Sequence, residues 1–408
     1  MESLAKRYGT EFTVNIPFMP IVVISDPVMV KELFQMPTTE MQAVEPNLDV
    51  VFGPGSTFGL QGDAHRRRRK LLVPPFHGKR MRAYDGVVEE EALKEIATWP
   101  EDEEFPIMPS MMRITLNSIL RAVFGAEGAE LDALRAVMPR LMKRASVLAL
   151  LPQLRHDWGP RSPWGRYMAM RREFDCIIDS LIDKDKNDPN LDQRGDVLSL
   201  LLQSTYEDGT PMTNSDMADE LFTLLAAGHE TTATSLAWTV ERLRRHPDVL
   251  SRLADEIDAD GSDLLQATIN EVQRNRPVID ACARQVAASA VNLGPWVIPE
   301  GYMVRVDIPL THQNESVYSN PSRFDPDRFL GSNPDMYQWI PFGGGTRRCI
   351  GAAFANMEMS GVVRTMLREV RLATTDAPGE RMRNRGVAYA PHRGGRAVIH
   401  RRARKASA

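Results

Sequence analysis

The stretch PFGGGTRRCIGAAFANMEM, residues 341–359, limits the fold more than any other part of this 408-residue chain. Gly343, Gly344 and Gly345 free the backbone to take positive φ and to pass close to a bulky neighbour. Directly behind them, IGAAFANMEMSGVVRTMLREV carries apolar residues at helical spacing from about Ile350. A tight loop must therefore feed a helix, with Cys349 at the helix N-terminus, where unpaired N–H groups and the dipole favour an anion. A free cysteine is ordinarily a small buried hydrophobe. That description suits Cys176, in REFDCIIDSLID, and Cys282, but it gives no use for a glycine loop. Cys349 is a candidate thiolate.

The rest of the chain sets the class. With 43% hydrophobic and 25% charged residues it has the make-up of a soluble globular protein, and a net charge of -4 gives no global sign of nucleic-acid binding. Three widely spaced cysteines fit reduced thiols, not a disulfide framework or a zinc site. The N-terminus has no cleavable signal pattern, and PIVVIS is too short to span a bilayer, so no transmembrane segment and a cytoplasmic location are expected. Residues 12–24 read as a hairpin. From about Pro27 to Asp258 the apolar spacing is helical, and short strands return in PWVIPEGYMVRVDI and GVAYAPHRGGRAVIHRR. The expected fold is mainly α with a small β part. No repeat, linker or composition break divides it, so a single domain over residues 1–408 is expected, with RRARKASA as a solvated tail.

Three further stretches carry chemistry. LFTLLAAGHETTATSLAW lies in a long helix capped near Thr213 to Ser215 and running past Arg242. Ala226, Ala227 and Gly228 remove bulk from one turn, so a flat ligand could lie against the backbone there. The Thr231 hydroxyl is placed to compete for the Ala227 carbonyl four residues back. Small residues for helix packing explain AAG alone. A zinc-protease His-Glu-x-x-His fails, because Ala233 stands where the second histidine is needed. In NEVQRNRPV, Glu271 and Arg274 share a helix face and can pair. In GDAHRRRRKLLVPPFHG, His65 and Arg69 share one face, while Arg66, Arg67, Arg68 and Lys70 spread over the others. A charge run is usually a solvated face; this one points in at least two directions.

The spacing Phe342-x-x-Gly345-x-x-x-Cys349-x-Gly351 resembles the haem-binding loop of the cytochromes P450. Ala227-Gly228-x-Glu230-Thr231 is similar to the oxygen-activation motif of that family's central helix. The four motifs occur in the family's order, from residue 62 to 351. The resemblance implies a helical bundle around haem b (iron protoporphyrin IX), with small antiparallel sheets and Cys349 as the iron ligand. Phe342, Gly343, Arg347, Gly351, Ala227 and Gly228 are then haem contacts. The family's His-x-x-x-Arg pattern matches His65 and Arg69 as partners of the haem propionates, and position adds Arg347 and Arg284. Glu-x-x-Arg pairs in the family with a later arginine, here Arg328 of FDPDRF, as a structural support; Asp327 stands where glutamate is common.

Thiolate-ligated iron favours O–O cleavage, which needs protons, and Thr231 with Glu230 is the pair to deliver them. The implied activity is a monooxygenase that inserts one atom of O2 into a small apolar organic substrate. The motifs leave no room for a reductase, and GPGSTFG fails the dinucleotide spacing, so separate electron donors are expected; the resemblance to soluble bacterial members of the family implies a ferredoxin and an NAD(P)H-dependent ferredoxin reductase. Arg66, Arg68, Lys70 and Arg348 could form a basic patch for such a carrier. A monomer is expected. A peroxide-driven peroxygenase and a non-catalytic haem-thiolate sensor are the competing readings; both have less need of the Glu230–Thr231 pair. By family position VFGPGSTFGL, residues 146–168, the segment after Pro277 and RGVAYAP line the pocket, with Phe52, Phe58, Leu60 and Val387 as apolar walls and Asp280 and Tyr389 as polar contacts. The substrate itself is not legible.

Overall fold

The computed structural model describes residues 1–16, 19–44, 48–78, 81–125, 128–402. It is mainly helical, with five small sheets among the described residues, built mostly from C-terminal strands. After α1 (Glu2–Tyr8), strands β1 (Phe12–Ile16) and β2 (Met19–Ile24) form the expected hairpin. α2 (Pro27–Gln35) follows, capped by the Asp26 carboxylate, which accepts from Val28 and Met29 N–H. Then come β3 (Met41–Ala43), α3 (Asp49–Phe52), α4 (Gly62–Leu72), α5 (Met81–Ile96), β4 (Phe105–Pro106), α6 (Met108–Phe124), α7 (Ala129–Leu150), α8 (Pro163–Lys186) and α9 (Val197–Gln203).

The central helix, α10 (Asn214–Leu243), starts where the sequence places its cap: the Thr213 hydroxyl accepts from Asp216 N–H at 3.1 Å. α11 (Pro247–Asp258) and α12 (Asp263–Asn275) follow. The C-terminal part holds β5 (Ala281–Val286), β6 (Ala290–Leu293), β7 (Trp296–Pro299), β8 (Met303–Asp307), α13 (Ile308–His312), α14 (Ala352–Glu369), β9 (Val370–Leu372), β10 (Met382–Asn384), β11 (Tyr389–Pro391), β12 (Arg396–Ala397) and β13 (Ile399–Arg401).

The largest sheet has the order β1-β2-β8-β5-β3. Its β2–β8 pair is parallel, Ile21 facing Met303 through Ile24 facing Val306, and this departs from the all-antiparallel expectation. Parallel pairing needs a long crossover, and most of the helical bundle serves as one. The sheet packs with α2 around its own apolar cluster, which includes Phe34, Val304 and Ile340.

Two larger cores fill the bundle. One gathers α7, α8 and α9 with the C-terminal half of α6 and the N-terminal half of α10, from Met217 to Ala226. The other gathers α11, α12 and most of α14 with the N-terminal half of α6 and the C-terminal half of α10, from Ala233 to Leu243. α10 is thus buried nearly all round, as a core helix must be, but residues 227–232 fall between the two clusters. The chain end differs from expectation as well. Arg401 donates to the carbonyls of Ile96 and Trp99, and Arg402 pairs with Asp258, so these two arginines belong to the fold. Residues 403–408 of that segment lie outside the described residues.

Candidate functional site

The cysteine loop is shaped by what its glycines pass. Gly343 and Gly345 take φ of 64° and 63°, a region that side chains resist. A Cβ on Gly344 would stand 2.2 Å from the Phe34 ring, and one on Gly345 2.7 Å from the Phe34 carbonyl oxygen. The bulky neighbour is therefore Phe34 of α2, for these two glycines. Cys349 N–H donates to Phe342 O at 3.0 Å, closing the loop, and α14 begins at Ala352 with Gly351 as N-cap, two residues later than the spacing implies. The Cys349 side chain is exposed by area yet walled in by dense protein. The area describes what the sulfur can touch, and the crowding describes how little bulk water screens it. Burial pushes the thiol up, against the Gly351 N–H and the charges of Arg69 and Arg348, which favour the thiolate.

A buried network fixes the chain that enters this loop. Arg274 donates to both carboxylate oxygens of Glu271, at 2.7 and 2.8 Å, and both residues are fully buried. Arg274 also bonds the carbonyls of His312 and Pro321, and Arg328 approaches Glu271 at 3.4 Å. Asp327 lies outside this network, paired with Arg252 of α11 at 2.5 Å. His312, which the sequence did not single out, joins the network to the loop. Its Nε2 accepts from Ile340 N–H at 2.9 Å, so its Nδ1 carries the proton and donates to Arg274 O. Burial and Arg274 lower its pKa to about 3, keeping it neutral. Trp339 adds a bond from its indole N–H to Asn270 O.

His65, Arg69, Arg284 and Arg347 form the opposite kind of cluster. His65 and Arg284 are buried. Burial lowers the pKa of His65 to about 3, aided by the charges of Arg347, Arg69 and Arg284. Burial also lowers that of Arg347 to about 10, and Arg284 and Arg69 add to the effect. These groups feel one another as like charges, and their hydrogen bonds go to neutral oxygens: Arg284 to Gly344 O, and Arg347 to Thr57 O, Leu60 O and Gln61 Oε1. Among the described residues no carboxylate pairs with any of the four. The charge run of α4 divides differently from expectation. Arg68 is buried and paired with Glu220 and Asp216, Arg66 pairs with Asp63, and Lys70 with Glu207. Arg68 is therefore no part of a surface patch; Arg348 is exposed.

On α10 the Thr231 hydroxyl donates to Ala227 O at 2.7 Å. Ala227 is exposed in mid-helix between buried neighbours. Gly228 has a packing reason of its own, since a Cβ there would meet Ile119 of α6 at 3.1 Å. Glu230 is 8% exposed; burial raises its pKa, and the opposing charge is the guanidinium of Arg385 in the β10–β11 turn. Glu358 of α14 is fully buried against Ser118 of α6 and Thr232 of α10, and burial pushes its carboxyl well above the usual range. Neither Arg385 nor Glu358 gave a sequence signal, because the partners of each lie on distant segments.

The expected pocket stretch 51–60 is pinned to the start of α10. Gly55 N–H donates to Asp219, Thr57 N–H to Glu220, and the Ser56 and Thr223 hydroxyls meet at 2.7 Å. Phe52 is buried, stacking with Phe58 and Phe222, while Phe58 and Val387 are exposed and Leu60 is half-buried. Asp280 pairs with Arg305 at 2.8 Å, so its charge is already matched, and Tyr389 lends its carbonyl to the Trp238 indole.

The donor set fits a porphyrin. Among the described residues no group of three or more His, Cys, Asp or Glu gathers as a metal site. A metal on Cys349 must then bring its other ligands with it, and a macrocycle bearing two carboxylates would supply both those ligands and the anions that the cation cluster lacks.

Comparison with known proteins agrees. A protein named cytochrome P450 138, of Mycobacterium tuberculosis, is 53% identical over 398 residues, covering 97% of this chain and 90% of the relative. Cytochrome P450 135B1 of the same organism is 40% identical over 404 residues, covering 96% and 84%. Among solved structures, retinoic acid-bound cyanobacterial CYP120A1 superposes with a TM-score of 0.85 at 21% identity, covering 98% of this chain and 93% of the other. The cytochrome P450DA heme domain gives 0.84 at 23%, covering 98% and 92%. No helix among the described residues is long and apolar enough to cross a membrane. With the family description Cytochrome P450 matching residues 1–394, a glycine loop presenting Cys349 beside a one-sign ring of cations has its explanation: the chain belongs to the cytochrome P450 family.

Proposed function

We propose that this chain holds haem b through Cys349 and uses O2, with electrons from a ferredoxin and an NAD(P)H-dependent ferredoxin reductase, to insert one oxygen atom into a small apolar organic substrate. The observation that carries this reading is the 227–231 turn of α10, where Thr231 Oγ1 rests 2.7 Å from Ala227 O, beside Glu230, in the gap between two cores. When bound, the haem supplies the redox chemistry, with electron density pushed toward oxygen by the thiolate.

The rest is the chain's own work. The Gly351 N–H and the charges of Arg69 and Arg348 favour the sulfur anion. His65, Arg69, Arg284 and Arg347 would take the carboxylates of the group and set its orientation. The Thr231 hydroxyl, able to trade its bond to Ala227 O for one to water, holds a proton at Oγ1. Glu230, raised toward neutrality by burial, is suited to pass protons inward from solvent. Phe52, Phe58, Leu60 and Val387 would exclude water from the pocket. Because Arg66 and Lys70 are engaged by their own carboxylates, a carrier would meet Arg348 with less positive charge around it than the α4 run implies. The same reading has the enzyme monomeric and cytoplasmic.

Spectroscopy and turnover test it. Reduced, CO-treated protein should show a strongly red-shifted Soret band, and Cys349→Ala should abolish it. Thr231→Ala should keep haem and substrate binding while diverting electrons to peroxide. Full coupling in that variant would remove Thr231 from the proton path.

A further inference from the structure

The C-terminal end of α10 opens on a basic crevice, remote in sequence from the cysteine loop and sharing none of its cations. A cavity of about 550 Å³ is lined by Arg242, Arg245, His246 and Arg276, with Thr375 and Gly379 on the opposite wall. A second cavity of about 440 Å³ adjoins it across Arg245 and Thr375, and its wall includes Arg244, Arg381, Arg393 and Arg396 with the carboxylates of Glu104 and Glu380. Both volumes lie in the range of small-molecule sites.

The charges do not cancel. Glu241, fully buried beneath the crevice, is saturated: it takes Arg242 Nε at 2.5 Å and Nη2 at 2.9 Å, Arg245 at 3.2 Å and the Glu380 N–H at 2.7 Å. One carboxylate therefore serves two arginines, and Arg276 is left over. Its Nη1 bonds only Asn275, at the backbone and side-chain oxygens, and its guanidinium lies 5.4 Å from the Trp238 ring centroid. Its Nε is buried with no hydrogen-bond partner, and among the described residues no carboxylate lies within ion-pair distance. Asp376 also lines the crevice and is exposed.

A helix C-terminus attracts cations, and this accounts for Arg242, Arg244 and Arg245, which sit at the end of α10. Arg276 comes from a second helix C-terminus, as the C-cap of α12, so two helix ends bring their cations to one crevice. Burial, and after it the charge of Arg242, lowers the Arg276 pKa to about 10. Gly379 keeps the crevice open over these groups: a Cβ there would stand 2.7 Å from Arg242 Nη2. A guanidinium edge left free beside other cations is a recognition surface for a tetrahedral or planar oxyanion. Arg242, Arg245 and Arg276 outnumber the carboxylates Glu241 and Asp376, and three guanidinium groups around one space suit the several oxygens of a phosphate.

We infer that this crevice binds the dianionic phosphate group of a soluble phosphomonoester, with Arg276 as the principal contact and Arg245 and Arg242 on its wall. The site is independent of haem chemistry and does not depend on the reading of Thr231 and Glu230.

The test uses the full chain as purified. Its thermal midpoint is followed while inorganic phosphate or glycerol phosphate is titrated at constant ionic strength, with acetate and chloride as controls. A ligand that binds only the folded state raises the midpoint with the logarithm of its concentration. The two phosphates should do so and the monoanions should not. Arg276→Gln should weaken the apparent affinity at least tenfold. Arg276→Lys, which keeps the charge and the packing but loses the fork, should fall between, and it serves in place of the glutamine variant if that does not fold. Arg172→Gln, an exposed change on α8, should leave affinity unaltered. Equal stabilisation by acetate, no phosphate response in the parent protein, or wild-type affinity in both Arg276 variants would overturn the assignment.

Discussion

Two arginine-rich clusters flank the cysteine loop, and they are built on opposite terms. Around α12, Arg274 and Arg328 close on Glu271, Arg274 also bonds the carbonyls of His312 and Pro321, and His312 links the network to the loop through Ile340 N–H. Around α4, His65, Arg69, Arg284 and Arg347 are held together with no carboxylate among them. The first cluster is complete in the polypeptide alone and serves as a fixed base. The second brings like charges together, with no carboxylate of the described residues paired to them. A carboxylate at the centre of the first and none in the second separates the two clusters, although both contain arginine.

The contrast is easiest to break at Glu271. Glu271→Gln keeps the shape but leaves two buried cations uncompensated, and removing one partner of a buried pair costs about 3–5 kcal/mol. Urea denaturation of the haem-free chain should register that loss, and an unchanged midpoint would show that the α12 network contributes no net stability. Arg69→Gln should act with the opposite sign on the same chain. Removing one of several like charges should leave haem-free stability level or raised by up to about 1 kcal/mol. Haem affinity should fall by roughly ten- to a hundredfold, the worth of a charge-assisted hydrogen bond.

Acid sharpens the comparison further. His65 has a folded pKa of about 3 against 6.5 unfolded, so between those values the unfolded chain binds more protons. Its contribution to stability is present above pH 6.5 and is lost as the pH falls toward 3. Haem carboxylates beside His65 would raise its folded pKa and flatten that slope. Denaturation midpoints against pH should therefore be steeper without haem than with it, and His65→Gln should bring the two curves together. The smallest effect belongs to Asp327. Its pair with Arg252 is half exposed on both sides, and Asp327→Ala should cost about 0.2–1 kcal/mol and leave haem binding alone.

What could be read from sequence follows the range of the interactions. The cysteine loop, the capped central helix and the Glu271–Arg274 pair are local patterns, decided within a few residues, and the structure forms each of them. The Thr231–Ala227 bond is of the same kind, four residues apart on one helix. The glycines announced a close neighbour but could not say that it was Phe34, more than three hundred residues earlier. His312 and Trp339 act through a backbone N–H and a backbone carbonyl, so no side-chain pattern marks them. Arg68 sits in a run of cations and differs from its neighbours only because α4 turns it toward Glu220. The parallel pairing of β2 with β8 depends on how the whole bundle returns the chain, which no window of sequence contains.

The division of α10 between two cores has a consequence for how such a protein changes over generations. Phe52 and Phe222 belong to one core, which also takes in Ile350 and Phe354 beside Cys349, while the later turns of α14 and the helix that carries Glu271 belong to the other. A substitution that reshapes the first is relieved by its own neighbours before it reaches the second. Variants that reshape α7, α8 and the first half of α10 should therefore leave the Glu271–Arg274 network untouched, while Phe354, which shares their core, should change with them.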